Sequence, residues 1–380
     1  MQAADRINTI EEYYFSHKMR EIQSLMKQGK EIINLGIGNP DLPPPPTVIE
    51  ALTQGANDLS KHGYQPYKGL PELREAIAIF YQKHYTVTLN YENEILPLAG
   101  AKEGIMHISM AFLNPGDAVL VPNPGYASYA TVAKMLGAVP ILYDLKLQNN
   151  WLPDFHDIEK KDLSKVKIMW VNYPNMPTGA GASYELFEEL ITFAEKHQIL
   201  LVNDNPYSFI LTKKPLSILS INGAKNTALE LNSLSKSFNM AGWRVGMLAG
   251  AQKHIDTVLK VKSNMDSGMF YGLQTGAIAA LNIDTSWYIK QNTLYKQRRK
   301  LIWQIASKIG TTYNPDSVGF FVWAKLPEGQ NDKQISDYLL QEKAIFVTPG
   351  SIFGSNGKGY LRFSLCVPEN TLLNVLDRFK

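Results

Sequence analysis

Ser233-Leu-Ser-Lys236-Ser-Phe-Asn-Met-Ala-Gly-Trp-Arg244-Val-Gly246 sets one lysine in a run of hydroxyls and small residues, with an arginine following it on the same segment. Ala228-Leu-Glu-Leu231 just before it alternates as a strand does, and Arg244-Val-Gly-Met-Leu-Ala249 resumes as another. A lysine projecting from a strand end into a polar, cation-rich pocket suits Schiff-base chemistry, because crowding by cations lowers the amine's pKa and frees its lone pair. Ser233 and Arg244 add a hydroxyl and a fork of N–H donors suited to a phosphate dianion beside that lysine.

Outward from this segment the chain alternates between short apolar runs and helical stretches. The runs are Ala118–Pro122, Val139–Tyr143, Val166–Val171, Ile199–Asn203, Ala228–Asn232 and Arg244–Ala249, preceded by the short strand Ile95–Leu98. Between two of them, Ser183 reads as the N-cap of a helix to His197, with Leu186, Leu190 and Phe193 on one face and Phe187, Ile191 and Ala194 beside it. Near-continuous apolar strands separated by helices imply an α/β fold, its mostly parallel sheet covered on both faces. The C-terminal third changes to an α+β pattern: a long helix around Trp287–Ile309, the strand Phe320-Phe-Val-Trp-Ala324, a helix near Gln334–Lys343, and strands at Ile345–Val347 and Leu361–Leu365. A chain of 380 residues exceeds one compact core. We therefore expect a large domain over residues 47–275 and a smaller one built from 1–46 plus 276–380, linked through the extended Leu42-Pro-Pro-Pro-Pro46.

Composition narrows the partners. The net charge is +3, from 38 basic and 35 acidic residues, and the densest basic clusters, Arg298-Arg299-Lys300 and Lys160-Lys161, read as solvated helix faces. Nothing resembles a stripe for nucleic acid or an anionic membrane. The single cysteine, Cys366, fits a reducing compartment. No signal peptide and no apolar run of membrane-spanning length is visible, so a cytoplasmic protein is expected, and no metal site suggests itself.

The remaining polar anomalies fall where such a sheet binds ligands. Asp204 closes Ile199-Leu-Leu-Val-Asn203, at the strand end that faces the crevice of an open α/β sheet, and Asn205-Pro206-Tyr207 follows; capping a turn before Pro206 is its plainer use. Gly100-Ala101-Lys102-Glu103-Gly104 opens a helix through Phe112, and a helix start offers free N–H groups to an anion or simply needs a cap. Tyr360-Leu-Arg362-Phe-Ser-Leu365 places an arginine inside an apolar strand. Because an unpaired buried charge is costly, Arg362 should face either a protein acid or a carboxylate brought by a ligand. Leu35-Gly-Ile-Gly38-Asn-Pro-Asp41 contains Gly-x-Gly but no third glycine at the dinucleotide spacing, which excludes that fingerprint.

These segments, with Pro122-Asn-Pro-Gly-Tyr126 and His62-Gly-Tyr64-Gln-Pro-Tyr-Lys-Gly69-Leu-Pro-Glu-Leu-Arg74, resemble the signatures of the pyridoxal 5′-phosphate (PLP)-dependent aminotransferases of class I and II, fold type I. The resemblance runs from about Leu35 to Leu365 in the family's order, and its details lean toward the branch of the LL-diaminopimelate, alanine and aspartate enzymes. It implies a fold type I transferase with a seven-stranded sheet, acting as a homodimer on an α-amino acid and a 2-oxo acid. On the same grounds Lys236 holds PLP as a Schiff base and is catalytic, Asp204 keeps the pyridine nitrogen protonated, Tyr207 meets the ring's phenolic oxygen and Tyr126 stacks on the ring. Ser233, Ser235, Arg244, Ala101, Lys102 and, from the partner subunit, Tyr64 hold the phosphate. Gly38 and Arg362 take the substrate carboxylate, and Lys102 reaches a distal one.

One departure stands out. Relatives write Asn-Pro-Thr-Gly where this chain has Asn172-Tyr-Pro-Asn-Met176-Pro177-Thr178-Gly179, so Met176 replaces an asparagine that donates to the cofactor's ring oxygen. That oxygen is then left to Tyr207 or water, with Asn175 a doubtful substitute. Phe270 stands where animal-type aspartate enzymes place an arginine, and Tyr14 and Phe15 are expected at the mouth of the site, which together favour a fairly broad specificity that includes neutral or aromatic amino acids. A β-eliminating C–S lyase of the same fold is the alternative activity; a PLP-sensing transcription regulator would need a DNA-binding domain, and no basic recognition helix is visible.

Overall fold

The computed structural model describes residues 1–380, the side chain of Thr9 excepted. In chain order the strands are β1 (Ile33–Asn34), β2 (Ile95–Leu98), β3 (Ala118–Asn123), β4 (Val139–Asp144), β5 (Val166–Val171), β6 (Leu200–Asp204), β7 (Ala228–Ser233) and β8 (Gly246–Gly250). The C-terminal third adds β9 (Thr312–Tyr313), β10 (Phe321–Lys325), β11 (Ile345–Phe346), β12 (Thr348–Pro349) and β13 (Tyr360–Ser364). Strands β2 to β8 form one seven-stranded sheet in the order β2-β8-β7-β6-β5-β3-β4. Only β8 runs against its neighbours, so the sheet is mostly parallel, as the apolar runs imply.

Burial explains the continuous apolar runs. Every residue of β2, β3, β6, β7 and β8 is buried, while β4, at the edge, exposes Val139 and Leu142. Along β6 the side chains alternate between two cores: Leu201 joins one, Leu200 and Val202 the other. The helix Tyr184–His197 starts where expected, the Ser183 Oγ accepting from the Leu186 N–H at 3.1 Å, and buries Leu186, Phe187, Leu190, Ile191, Phe193 and Ala194. Among the described residues no helix is long and apolar enough to cross a membrane.

The smaller sheet has the order β12-β13-β10-β9 with antiparallel pairings, and β1 pairs in parallel with β11 beside it. Local departures from the sequence reading occur at three places. Lys236 rides on a single helical turn, Leu234–Ser237, rather than on a strand end, because the Ser233 Oγ accepts from the Ser235 N–H and caps that turn. Arg244 precedes β8 instead of opening it, since its φ of 57° is left-handed and breaks the extended run. Arg298 is not on a solvated face: it is 2 % exposed and pairs with Asp41.

Candidate active site

In the parallel part of the sheet, β3, β5, β6 and β7 all end on the same edge, delivering Asn123, Asn172, Asp204 and Ser233 there. The antiparallel β8 begins on that edge, Gly246 pairing with both Ser233 and Leu98, so Arg244 and Gly100 join the group. This is the edge at which open α/β sheets bind ligands. A cavity of about 500 Å³ opens there, lined by Gly38, Ala101, Lys102, Tyr126, Asp204, Tyr207, Ser233, Ser235, Lys236, Arg244 and Arg362. Tyr64 lies outside it and is 94 % exposed. At the mouth Phe15 lines the cavity as expected, but its companion is Tyr13; Tyr14 packs instead against the cluster of Ile22, Leu340 and Phe346.

Lys236 is largely enclosed, its Nζ donating to the Gly38 carbonyl at 2.8 Å. Burial, reinforced by the nearby Arg362 and Arg244, pushes its ammonium below the ordinary lysine value. Beside it the Asp204 Oδ2 accepts from the Tyr129 hydroxyl at 2.7 Å, while Oδ1 is buried without a partner. Burial pushes the Asp204 carboxyl up to about 6, against the pull of the Tyr129 bond. Tyr129 is itself clamped by Trp170, the rings stacked at 4.8 Å and 5°.

The close approach of Arg244 and β8 to the start of the helix Ala101–Phe112 depends on two glycines. A Cβ on Gly100, whose φ is 89°, would strike the Arg244 guanidinium, and one on Gly246 would lie 2.7 Å from the Ala101 nitrogen. Arg244 is braced by its Nη1 donating to the Ala241 carbonyl at 2.9 Å, and the Ser233 Oγ donates to the Ser235 Oγ at 2.8 Å.

Arg362, on β13, is 4 % exposed. Its Nη2 donates to the Gly36 carbonyl at 2.7 Å, its Nη1 meets the Met176 sulfur at 3.2 Å, and its Nε has no partner. The rings of Phe321 and Phe353 flank the guanidinium at 4.0 and 4.6 Å. Of the two partners the sequence left open, the protein acid drops out: no carboxylate pairs with Arg362 among the described residues. Burial pushes its pKa down to about 10, so it remains a cation waiting for an anion.

Around Met176 the neighbouring amides are already engaged. Asn175 Oδ1 accepts from the Thr178 hydroxyl at 2.7 Å and its Nδ2 donates to the Asn172 carbonyl, and it does not line the cavity as Met176 does. Asn172, unremarked in the sequence, lines the cavity, donating to the Asp204 carbonyl and accepting from the Met176 N–H at 2.8 Å. Tyr129 was also missed; its one signal is a tyrosine one helical turn beyond Tyr126, on the inner face of the helix Ala127–Met135.

An orphaned carboxylate oxygen for a ring nitrogen, a cation cradle for a phosphate and a desolvated lysine between them fit PLP. The geometry therefore defines a PLP enzyme of fold type I. The chain belongs to the aminotransferase class I and II family, whose model matches residues 30–379, and it catalyses PLP-dependent transamination of amino acids. It is 41 % identical over 374 residues to an LL-diaminopimelate aminotransferase of Dehalococcoides mccartyi, covering 98 % of this chain and 96 % of the relative. The LL-diaminopimelate aminotransferase of Aquifex aeolicus is 39 % identical over 379 residues, covering 99 % and 98 %. Among solved structures, substrate-bound BacF of Bacillus subtilis matches with a TM-score of 0.96 at 38 % identity, over 100 % of this chain and 97 % of that one. A single mutant of Thermus thermophilus aspartate aminotransferase matches with a TM-score of 0.92 at 26 % identity, over 100 % and 99 %.

Proposed function

We propose that this aminotransferase exchanges the amino group of neutral, chiefly aromatic, amino acids with 2-oxo acids, as a cytoplasmic homodimer. The carrying observation is the lining of the cavity: Tyr13, Phe15, Phe321 and Phe353 supply aromatic walls, and among the described residues Asp204 is the one carboxylate in it. The substrate named for the Dehalococcoides relative, LL-diaminopimelate, carries a second ammonium group. In this chain that group would meet aromatic rings and cations but no free acid, which disfavours it.

The geometry supports the following residue roles. PLP, when bound, supplies an electron-poor ring that takes up the electron pair released at the substrate Cα. Lys236 is its covalent anchor, and the Nζ, whose charged form burial disfavours, is the base that takes the Cα proton and the acid that returns it. Asp204 Oδ1 holds the proton of the ring nitrogen, and Tyr126 covers the ring face. Ser233, Ser235, Arg244 and the free N–H groups opening the helix Ala101–Phe112 hold the phosphate dianion. Arg362 binds the α-carboxylate and thereby fixes the direction of the Cα–H bond; Gly38 closes the loop against it.

Residues 47–275 and 1–46 plus 276–380 are taken as the two domains facing this crevice. A homodimer is supported by a second concavity of about 640 Å³, lined by Trp243, Arg244 and Phe270, which shares Arg244 with the main cavity. The partner subunit's Tyr64 is proposed to reach the phosphate through it. The test is kcat/KM for phenylalanine, tyrosine, methionine, alanine, aspartate and LL-diaminopimelate, with borohydride reduction and peptide mapping to locate the anchoring lysine. Aromatic substrates should lead and the label should fall on Lys236; a lead for aspartate or diaminopimelate, or a label on Lys102, overturns the corresponding assignment.

A further inference from the structure

Four cations line the cavity: Lys102, Lys236, Arg244 and Arg362. Three have tasks, since Lys236 is bonded to the Gly38 carbonyl, Arg362 awaits the α-carboxylate and Arg244 stands at the phosphate cradle. Lys102, which the family resemblance also gives to the phosphate, is the remaining cation able to receive a second carboxylate on a substrate side chain, and it forms no ion pair among the described residues. It is not bare. Its ammonium lies 5.1 Å from the centre of the Tyr13 ring, and the Tyr13 phenol neighbours that of Tyr126. Tyr13 comes directly before the helix Tyr14–Lys27, which is anchored through Lys18, bonded to Asp337 at 3.1 Å.

We infer that Tyr13 is a specificity residue: its ring masks Lys102 and so disfavours dicarboxylic substrates relative to aromatic ones. An ammonium over a ring face is held by the ring's negative quadrupole. A carboxylate approaching Lys102 must displace that ring or lie against its electron-rich face, which repels it. An uncharged aromatic side chain meets no such opposition and packs on the same ring at an offset or edge. This inference deepens the proposed preference for aromatic substrates and rests on it. The mask is the ring itself, so phenylalanine should serve nearly as well, short of the contact between the Tyr13 hydroxyl and Tyr126.

The experiment compares kcat/KM for aspartate and phenylalanine in the wild type, Tyr13→Leu, Tyr13→Phe, and Tyr13→Leu combined with Lys102→Gln. Tyr13→Leu should raise the aspartate-to-phenylalanine ratio about fivefold or more, mainly through the KM for aspartate. Tyr13→Phe should keep the wild-type ratio, and the combined variant should lose the gain. An unchanged ratio in Tyr13→Leu, or a gain that survives Lys102→Gln, overturns the mask while leaving the substrate preference standing. A wild type that favours aspartate overturns the preference itself, and the mask with it.

Discussion

The Tyr129 hydroxyl donates to Asp204 Oδ2 at 2.7 Å and leaves Oδ1 of the same carboxylate without a partner. One oxygen is thus fixed by the protein and the other, buried and unpartnered, stands at the cavity as the proposed acceptor for the ligand. The bond also favours the charged carboxylate against burial, which by itself drives Asp204 toward the neutral acid. Tyr129 therefore governs the charge of Asp204, the residue proposed to hold the pyridine ring.

Tyr129→Phe should weaken binding of PLP to the cofactor-free protein by about tenfold or more, the scale of a hydrogen bond to a charged group. Protonation of Asp204 removes the acceptor for the ring nitrogen's proton, so affinity should fall in the wild type as pH drops through about 6. Without the Tyr129 donor the carboxyl rises further, and the decline should begin at higher pH. Titration of PLP at several pH values checks both; equal dissociation constants across the range would show that Tyr129 is only packing.

Met176→Asn should shift the pH midpoint of the absorbance change of the PLP-loaded protein downward. Met176 offers a thioether, already set on Arg362 at 3.2 Å, which cannot donate to the ring oxygen, and Asn175 does not line the cavity. A restored amide donor stabilises the charged oxygen. A midpoint that stays or rises would mean that Tyr207 or Asn172, both at the cavity, already fills the role.

The sequence disclosed the parts that repeat a local rule. Buried parallel strands read as unbroken apolar runs, and chemistry collects at their ends, so Asp204, Ser233 and Lys236 could be placed before any coordinates. Arg362 was legible because a charge in an apolar strand demands a reason. Tyr129, Asn172 and Tyr13 were not, because tyrosine and asparagine are ordinary on helix faces and in turns, and only long-range packing aims them at the cavity. Arg298 was misread for the complementary reason. A basic triplet in a helix looks solvated until the partner of one member, Asp41, arrives from the far end of the chain.

That pair carries a stability prediction. Arg298 Nη1 and Nη2 grip Asp41 Oδ1 and Oδ2 at 2.7 and 2.9 Å, and Nη1 also holds the Leu365 carbonyl. Asp41 ends the loop whose Gly36 and Gly38 carbonyls receive Arg362 and Lys236. Arg298→Met removes a buried guanidinium together with its bonds to the partly exposed Asp41 carboxylate and the Leu365 carbonyl, and should cost about 2 kcal/mol. Urea unfolding measures this, and the KM for amino acid should rise because the loop is released. A midpoint within error of the wild type would show that the pair is dispensable.

Glu230 gives the sharpest pH test. It is fully buried on β7, its Oε2 accepting from the Ile218 N–H at 2.9 Å and its Oε1 unpartnered. Burial pushes its carboxyl from 4.5 up to about 7. The titratable groups facing it, Tyr81 and Tyr85, are driven far above their ordinary value by burial and stay neutral. Between 4.5 and about 7 the folded chain keeps a proton that the unfolded chain has lost, so this group makes stability fall as pH rises through that window and adds no further slope above it. Glu230→Gln removes the titration but retains an acceptor for Ile218. The stability of the variant minus that of the wild type should therefore increase by about 2 kcal/mol from pH 5 to pH 8. Urea midpoints of both proteins at the two pH values measure it; all other groups cancel in the difference. A difference independent of pH would place the folded-state value of Glu230 at that of an exposed carboxyl, contrary to its burial.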